Sequence, residues 1–340
     1  MGTMRAAVVT RFGAPLELQD LPIPAPGFGE VLVRVRASGV CHTDLHASQG
    51  DWPDKPALPL IPGHEAVGDV VELGEGVTSV ALGDRVGVPW LHRACGICEA
   101  CLSGWETLCP KQERSGYDVA GGFAEYVVAA AEYVAHLPRS IDYIHAAPLI
   151  CAGLTVYKGL RMVDAGPGEW VVVSGIGGLG HLAVQYGVAM GFQVIAVDID
   201  GAKLDLAAKL GATMTLNAAE VDPARWIHRE IGGAHGALVT AVSNVAFGQA
   251  LGMMRPGGTV VLNGVPPGDF SVNIYDLVMR AITMRGSIVG TRHDLARALE
   301  LAAQRGIRAT VHPAELASIN SILEKMANWP MPGRVVLEFP

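Results

Sequence analysis

A chain of 340 residues exceeds what one hydrophobic core usually supports, since single cores stop growing near ~250–300 residues, so two domains are expected. Half of the residues are hydrophobic and 17% are charged, which excludes a disordered or fibrous protein, and a net charge of −8 with no basic run excludes a nucleic-acid surface. Residues 1–5 lack the apolar core of a signal peptide, and no apolar run reaches the ~18 residues that span a bilayer, so a cytoplasmic protein without membrane contact is expected.

In chain order, residues 4–10, 31–38 and 66–73 combine β-branched residues with alternation and Gly or Pro boundaries, which predicts strands of an irregular β-rich domain. Proline-rich turns separate them at 22–27 and 51–56. The first 140 residues carry little helical periodicity. Between two strand-like segments lies Gly39-Val40-Cys41-His42-Thr43-Asp44-Leu45-His46, where a thiol, two imidazoles, a hydroxyl and a carboxylate crowd together. Such a cysteine is a metal ligand, a nucleophile or a small buried hydrophobe, and only distant partners can choose.

Four of the six cysteines fall in Cys95-Gly-Ile-Cys98-Glu-Ala-Cys101 followed by Cys109, poor spacing for a disulfide framework. Four thiolates on one loop close a tetrahedral shell with no open position, the pattern of a structural zinc, with an iron–sulfur cluster as the rival. Glycines at 96 and 104 let the loop turn tightly.

The pattern changes near residue 145. Residues 144–162 read as helix, then strands at 170–174, 193–197, 213–216, 237–241 and 259–263 alternate with helices at 178–190, 203–210 and 246–254. Fully apolar strands alternating with helices predict an α/β fold with a doubly wound parallel sheet over 153–290. The tail holds helices at 295–304 and 315–327 and strands at 309–312 and 334–339. Being short for an independent domain, it is expected to return to the N-terminal one, giving a discontinuous domain of residues 1–152 and 291–340.

Gly175-Ile176-Gly177-Gly178-Leu179-Gly180 matches the G-x-G-x-x-G pattern after an apolar strand and before a helix, and Asp198 closes the next strand. In that context Gly175, Gly177, Gly178 and Gly180 permit close approach of a pyrophosphate to a helix N-terminus. Asp198 accepts from both ribose hydroxyls and repels a 2′-phosphate, so NAD is expected over NADP. Cys41 and Cys151 remain, and a catalytic zinc would need them joined by a nitrogen ligand, for which His64 in Pro62-Gly63-His64-Glu65 is the best candidate.

With these motifs assembled, the sequence resembles the zinc-dependent alcohol dehydrogenases of the medium-chain dehydrogenase/reductase superfamily, specifically the bacterial and yeast-like NAD-dependent branch. Further matches are Cys151-Ala152-Gly153, Gly264-Val265-Pro266-Pro267, the 286–292 segment and Gly333-Arg334-Val335-Val336. The resemblance implies a GroES-like β-rich domain carrying both zinc sites, a Rossmann domain binding NAD, an active site between them, and a homotetramer. It makes Cys41, His64 and Cys151 ligands of a catalytic zinc, with Asp44 orienting the histidine and Glu65 approaching the metal. By the same resemblance Thr43 and His46 relay the substrate proton, with the nicotinamide ribose between them, His42 and Arg334 lie near the pyrophosphate, Lys203 lies beside the adenosine ribose and Val265 belongs to the cofactor site. Trp52 and Trp90 match positions lining the alcohol pocket, and two indoles leave a slot suited to small primary alcohols and aldehydes. A histidine at 42 replaces the arginine of other branches, which should weaken pyrophosphate binding at alkaline pH. The turn at 328–332 is more proline-rich than is usual in the family. Rival readings are a polyol, threonine or aromatic-alcohol dehydrogenase, and a catalytically silent NAD(H)-binding redox sensor.

Overall fold

The computed structural model describes residues 2–328 and 332–340, so Trp329, Pro330 and Met331 of the proline-rich turn lie outside the described residues. Two compact units emerge: Met1–Cys151 with Gly290–Ala303 and Arg308–Pro340, and Ala152–Val289 with Gln304–Ile307.

In the first unit a seven-stranded sheet runs in the order Val311–Glu315, Arg334–Glu338, Glu30–Gly39, Ala66–Leu73, Arg85–Val88, Ala135–His136, with Tyr126–Ala130 also pairing Glu30–Gly39. The central strand Glu30–Gly39 is buried along most of its length, in keeping with its Val and Ala content. The C-terminal strand pairs antiparallel with it, Val336 opposite Gly39, and Val40 N–H donates to the Val335 carbonyl at 2.9 Å. This register brings residue 334 beside residues 40 and 41 despite their separation in sequence. Small antiparallel ribbons, Thr3–Val8 with Glu17–Pro22 and Leu91–Arg93 with Glu113–Arg114, complete the strands.

The second unit holds a six-stranded, all-parallel sheet: Met214–Asn217, Gln193–Asp198, Trp170–Ser174, Ala234–Val239, Met254–Leu262, Thr283–Gly286. Numbered within the unit this is the order 3-2-1-4-5-6, which reverses at Trp170–Ser174, the position where doubly wound sheets bind nucleotides. The strand core is apolar because helices cover it: Val172, Ile195, Val239, Phe247 and Val260 share one buried cluster.

The structure departs from the sequence reading in several places. Helix Pro223–Ile231 and strands Arg85–Val88 and Tyr126–Ala130 were not anticipated, and other departures have a clear physical reason. Helix His42–Gln49 occupies a region where no helix was expected, because its buried residues are Asp44, Ala47 and Ser48, and no apolar stripe announces it. The segment 144–162 is not one helix but Tyr143–Pro148, a π-turn Leu149–Gly153 and Leu154–Arg161. Helix Ile274–Met279 and strand Thr283–Gly286 also escaped notice, since the strand is exposed throughout and shows no alternation. No helix among the described residues is long and apolar enough to cross a membrane.

Candidate functional site

Helix His42–Gln49 begins at Cys41, whose N–H donates to Asp44 Oδ2 at 2.8 Å, a side chain reaching back to hold the first turn. The other oxygen of Asp44 accepts from Gly63 N–H at 3.2 Å and pairs with His64 Nδ1 at 2.8 Å. Asp44 is 1% exposed and both of its oxygens accept from these three donors, so it staples the helix start to the 63–64 segment. Because a carboxylate only accepts, His64 carries its proton on Nδ1, and the Nε2 lone pair is left open. That Nε2 is buried with no hydrogen-bond partner among the described residues. A histidine whose far nitrogen is held by a carboxylate while the near one faces other ligands is the usual arrangement of a metal-binding imidazole.

The facing ligands are present. Donor atoms of Cys41, His64, Glu65 and Cys151 all lie within 4.8 Å of one another, and all four residues are buried. Cys151 is delivered by the π-turn, a helical irregularity that re-aims one side chain and is frequent at functional sites. The electrostatics fit a cation. Cys151 beside it holds the Cys41 thiol well below its ordinary value, whereas Cys41 and burial hold Cys151 well above. For His64, burial pulls downward, but the Asp44 carboxylate together with Cys41 outweighs it and holds the imidazole well above its ordinary value, so a cation bound at Nε2 would take the place of a second proton. A dry cluster that ionises one thiol and keeps a proton on the other is short of positive charge, and a divalent cation would displace that proton.

Glu65 has a second attachment. Its carboxylate is bonded by Arg334, through Nε at 3.2 Å and through a closer Nη contact, with both side chains buried. Burial raises Glu65 to about 7 even against the pull of Arg334. Glycine is required at 39, since a Cβ there would run into the Glu65 carboxylate. Arg334, expected from the resemblance near a pyrophosphate, is therefore engaged by Glu65 in this structure.

Thr43 Oγ1 lies 3.9 Å from Cys41 Sγ. One turn further on, His46 Nδ1 pairs with both oxygens of Asp51, at 3.0 and 2.9 Å. An aromatic run extends from His46 to His64: His46 stacks on Trp52 at 5.2 Å, Trp52 meets Tyr117 at 5.7 Å, Tyr117 meets Trp90 at 5.6 Å, and Trp90 stands edge-on to His64 at 5.3 Å. Tyr117 was missed in the sequence, where no local pattern marks it. Its hydroxyl donates to the Asp54 carbonyl, and Arg114 lies 4.4 Å over its ring while pairing with Asp54 and Asp118. Asp51 was missed as well, although Gly50, which ends the helix in the left-handed region, signals that the chain doubles back. His42 is half-buried, and burial draws it below its ordinary value.

The second cluster is Cys95, Cys98, Cys101 and Cys109, whose sulfurs lie within 4.8 Å of one another. Cys109 Sγ accepts from Cys95 N–H at 3.4 Å and Lys111 N–H at 3.3 Å. Backbone N–H groups of Ile97 and Cys98 bring Cys95 down to about 6, while burial and the neighbouring thiols push Cys101 up to about 12. Four thiolates this close need a metal to offset their charge, and a sulfur-only shell fits a closed tetrahedral zinc.

In the second unit, strand Trp170–Ser174 leads into the glycine loop, and helix Gly180–Ala189 follows with no side-chain cap on its N-terminus. Gly175 has φ +92° and packs on Ala241, a Cβ at Gly180 would strike the Gly175 carbonyl, and Gly177 opens onto free space. Gly178 completes the loop, and the open space at Gly177 leaves room for a pyrophosphate against the helix dipole. Asp198 accepts from Ile176 N–H at 2.6 Å and from Ile199 and Asp200 N–H at 2.8 and 3.1 Å, so the acid expected at the ribose also fixes the loop. Lys203 is mostly buried in helix Gly201–Lys209, and Val265 is exposed beyond strand Met254–Leu262.

With this geometry in hand, comparison with known proteins is direct. Residues 27–139 match the alcohol dehydrogenase GroES-like domain and residues 178–304 the zinc-binding dehydrogenase domain. An alcohol dehydrogenase of Moraxella sp. is 59% identical over 99% of both chains, and one of Geobacillus stearothermophilus is 51% identical over 98% of this chain and 99% of its own. The structure of a cobalt- and zinc-bound thermostable alcohol dehydrogenase from Pyrobaculum aerophilum superimposes with a TM-score of 0.89 at 30% identity, covering 99% of this chain and 100% of that one.

Proposed function

Because this chain belongs to the zinc-dependent alcohol dehydrogenases of the medium-chain dehydrogenase/reductase superfamily, we propose that it interconverts small primary alcohols and aldehydes. It is an NAD-dependent oxidoreductase with two zinc ions per chain, a GroES-like domain and a Rossmann domain. When bound, the catalytic zinc supplies a Lewis acid that acidifies the alcohol hydroxyl, and NAD supplies the hydride acceptor.

The protein's own part follows from the residues. Cys41, His64 and Cys151 hold the metal, and Asp44 keeps the His64 proton on Nδ1 so that Nε2 can bind. Two thiolates balance a dication and the Glu65 carboxylate is balanced by Arg334, which leaves the Asp44 carboxylate, hydrogen-bonded by Cys41, Gly63 and His64, as the one excess charge of the buried cluster. Thr43 receives the substrate proton and His46 returns it to solvent. His42 and Arg334 serve the pyrophosphate end of the cofactor, Lys203 and Asp198 the adenosine ribose, and Gly175, Gly177, Gly178, Gly180 and Val265 the surface it lies on. Cys95, Cys98, Cys101 and Cys109 hold the structural zinc.

The small-substrate reading is carried by the Trp52–Tyr117–Trp90 run that ends against His64. Bulky rings packed against one another in this way would narrow the space open to a substrate. An NAD-coupled assay over C2 to C8 alcohols is expected to favour short primary alcohols. A secondary or bulky aromatic alcohol exceeding ethanol about tenfold in kcat/KM would overturn the assignment.

For the cofactor, Asp198→Gly removes the charge that repels a 2′-phosphate and also frees Ile176 N–H. The kcat/KM ratio of NADP to NAD is expected to rise on the order of tenfold or more, with weaker NAD binding. An unchanged ratio in the same assay would remove Asp198 from the ribose site.

Assembly as a cytoplasmic homotetramer is part of the same proposal. Supporting it are the exposed apolar side chains Ile274, Tyr275, Val278 and Met279 beside an exposed edge strand, Thr283–Gly286.

A further inference from the structure

We infer that Asp51 is a positioning residue of the proton exit, holding His46 with its proton on Nδ1 and its Nε2 open to accept the substrate's proton. The inference rests on the relay reading of Thr43 and His46 given above. Its basis is local geometry. Helix His42–Gln49 ends at Gly50, φ +62°, whose N–H donates to the His46 carbonyl at 2.8 Å. The chain therefore doubles back on His46. Asp51 then takes the edge of the imidazole, with Oδ1 and Oδ2 at 3.0 and 2.9 Å from Nδ1, and Trp52 takes its face, stacked at 5.2 Å with the planes 24° apart. Two consecutive residues thus grip one ring, on its edge and on its face, while Gly50 holds the backbone of the same histidine. A chance surface pair would be held at one point only.

The chemistry follows from the donor count. Each carboxylate oxygen accepts, so Nδ1 must carry the hydrogen and the lone pair resides on Nε2. Oxidation of an alcohol sends a hydride to NAD and releases one proton. That proton enters the relay at Thr43 and leaves it at His46 Nε2, giving an imidazolium whose charge faces the Asp51 carboxylate. Nε2 then yields the same proton to water, and Asp51 is never protonated. The pair can exchange with solvent, since the side chains of His46 and Asp51 are 27% and 43% exposed.

The test uses the zinc-loaded enzyme and a short primary alcohol, comparing Asp51→Asn, Asp51→Glu, His46→Gln and the double variant His46→Gln/Asp51→Asn. Asparagine can donate as well as accept and no longer dictates the tautomer. Asp51→Asn is expected to lower kcat/KM on the order of tenfold, with zinc content and NADH affinity unchanged. Asp51→Glu should retain most of the activity, and imidazole added to the buffer should restore Asp51→Asn. On the His46→Gln background, Asp51→Asn should cost nothing further, because a residue acting through His46 has nothing left to act on. An equal loss with and without His46, or a loss that imidazole does not relieve, would mean that Asp51 merely braces the turn and would overturn the inference. So would full activity of Asp51→Asn beside an impaired His46→Gln. Full activity of His46→Gln would instead remove the relay reading itself, and this inference with it.

Discussion

Cys151→Ala is expected to lower NAD-linked alcohol oxidation on the order of a thousandfold or more and to reduce zinc from two to one per chain. A Lewis acid contributes several kcal/mol of charge stabilisation, and each ~1.4 kcal/mol is tenfold in rate. The prediction turns on where Cys151 sits. It is carried by the π-turn Leu149–Gly153 and is buried within 4.8 Å of the Cys41, His64 and Glu65 donors. Alanine removes the thiolate and little volume, so the surrounding helices keep their packing. The glycine loop lies in the other compact unit, and NADH binding measured by fluorescence should survive. Metal analysis showing two zinc ions, or activity near that of the parent, would take Cys151 out of the catalytic shell.

Cys109→Ala should leave one zinc per chain as well, but its signature is stability. Cys109 is 1% exposed and belongs to a cluster with Leu91, Ala94, Ala130 and Tyr133, and its sulfur accepts two backbone N–H groups. Structural zinc sites contribute folding energy outright. The loop it closes also carries Glu106, which accepts from Arg292 N–H at 2.7 Å and from its guanidinium at 2.9–3.3 Å, while Arg292 lies 4.1 Å over the Tyr133 ring. Opening the loop would separate Glu106, which is largely buried, from the Arg292 guanidinium. At a few °C per kcal/mol for a chain of this size, Tm measured calorimetrically should fall by about 10 °C or more. A Tm within a degree or two of the parent would show that the loop holds without metal.

Five of the six strands of the nucleotide-binding unit were legible in the sequence for a physical reason. Strands buried on both faces must be apolar throughout, and the glycine loop can be built from few other residues, so both leave strong patterns at Val171–Val173 and at 175–180. The four-cysteine loop was legible because its ligands are neighbours in the chain. Helix His42–Gln49 was not, since it buries Asp44, Ala47 and Ser48 and owes its place to hydrogen bonds from Cys41, Gly63 and His64 rather than to an apolar face. Nor was the break at Leu149–Gly153, where the apolar pattern runs on without interruption.

By itself the sequence determined the family, the two-domain α/β architecture, the cofactors and the chemistry, because each rests on residue types whose spacing carries the information. Tertiary structure alone decided how those residues are partnered. Arg334 meets Glu65 because the C-terminal strand pairs with Glu30–Gly39 in one register. Tyr117 joins Trp52 to Trp90 because Arg114, Asp54 and Asp118 fold two separate segments together. Asp51 seizes His46 because one left-handed glycine turns the chain back. Each is a contact made through space by groups whose local sequence would serve equally well on a solvated surface.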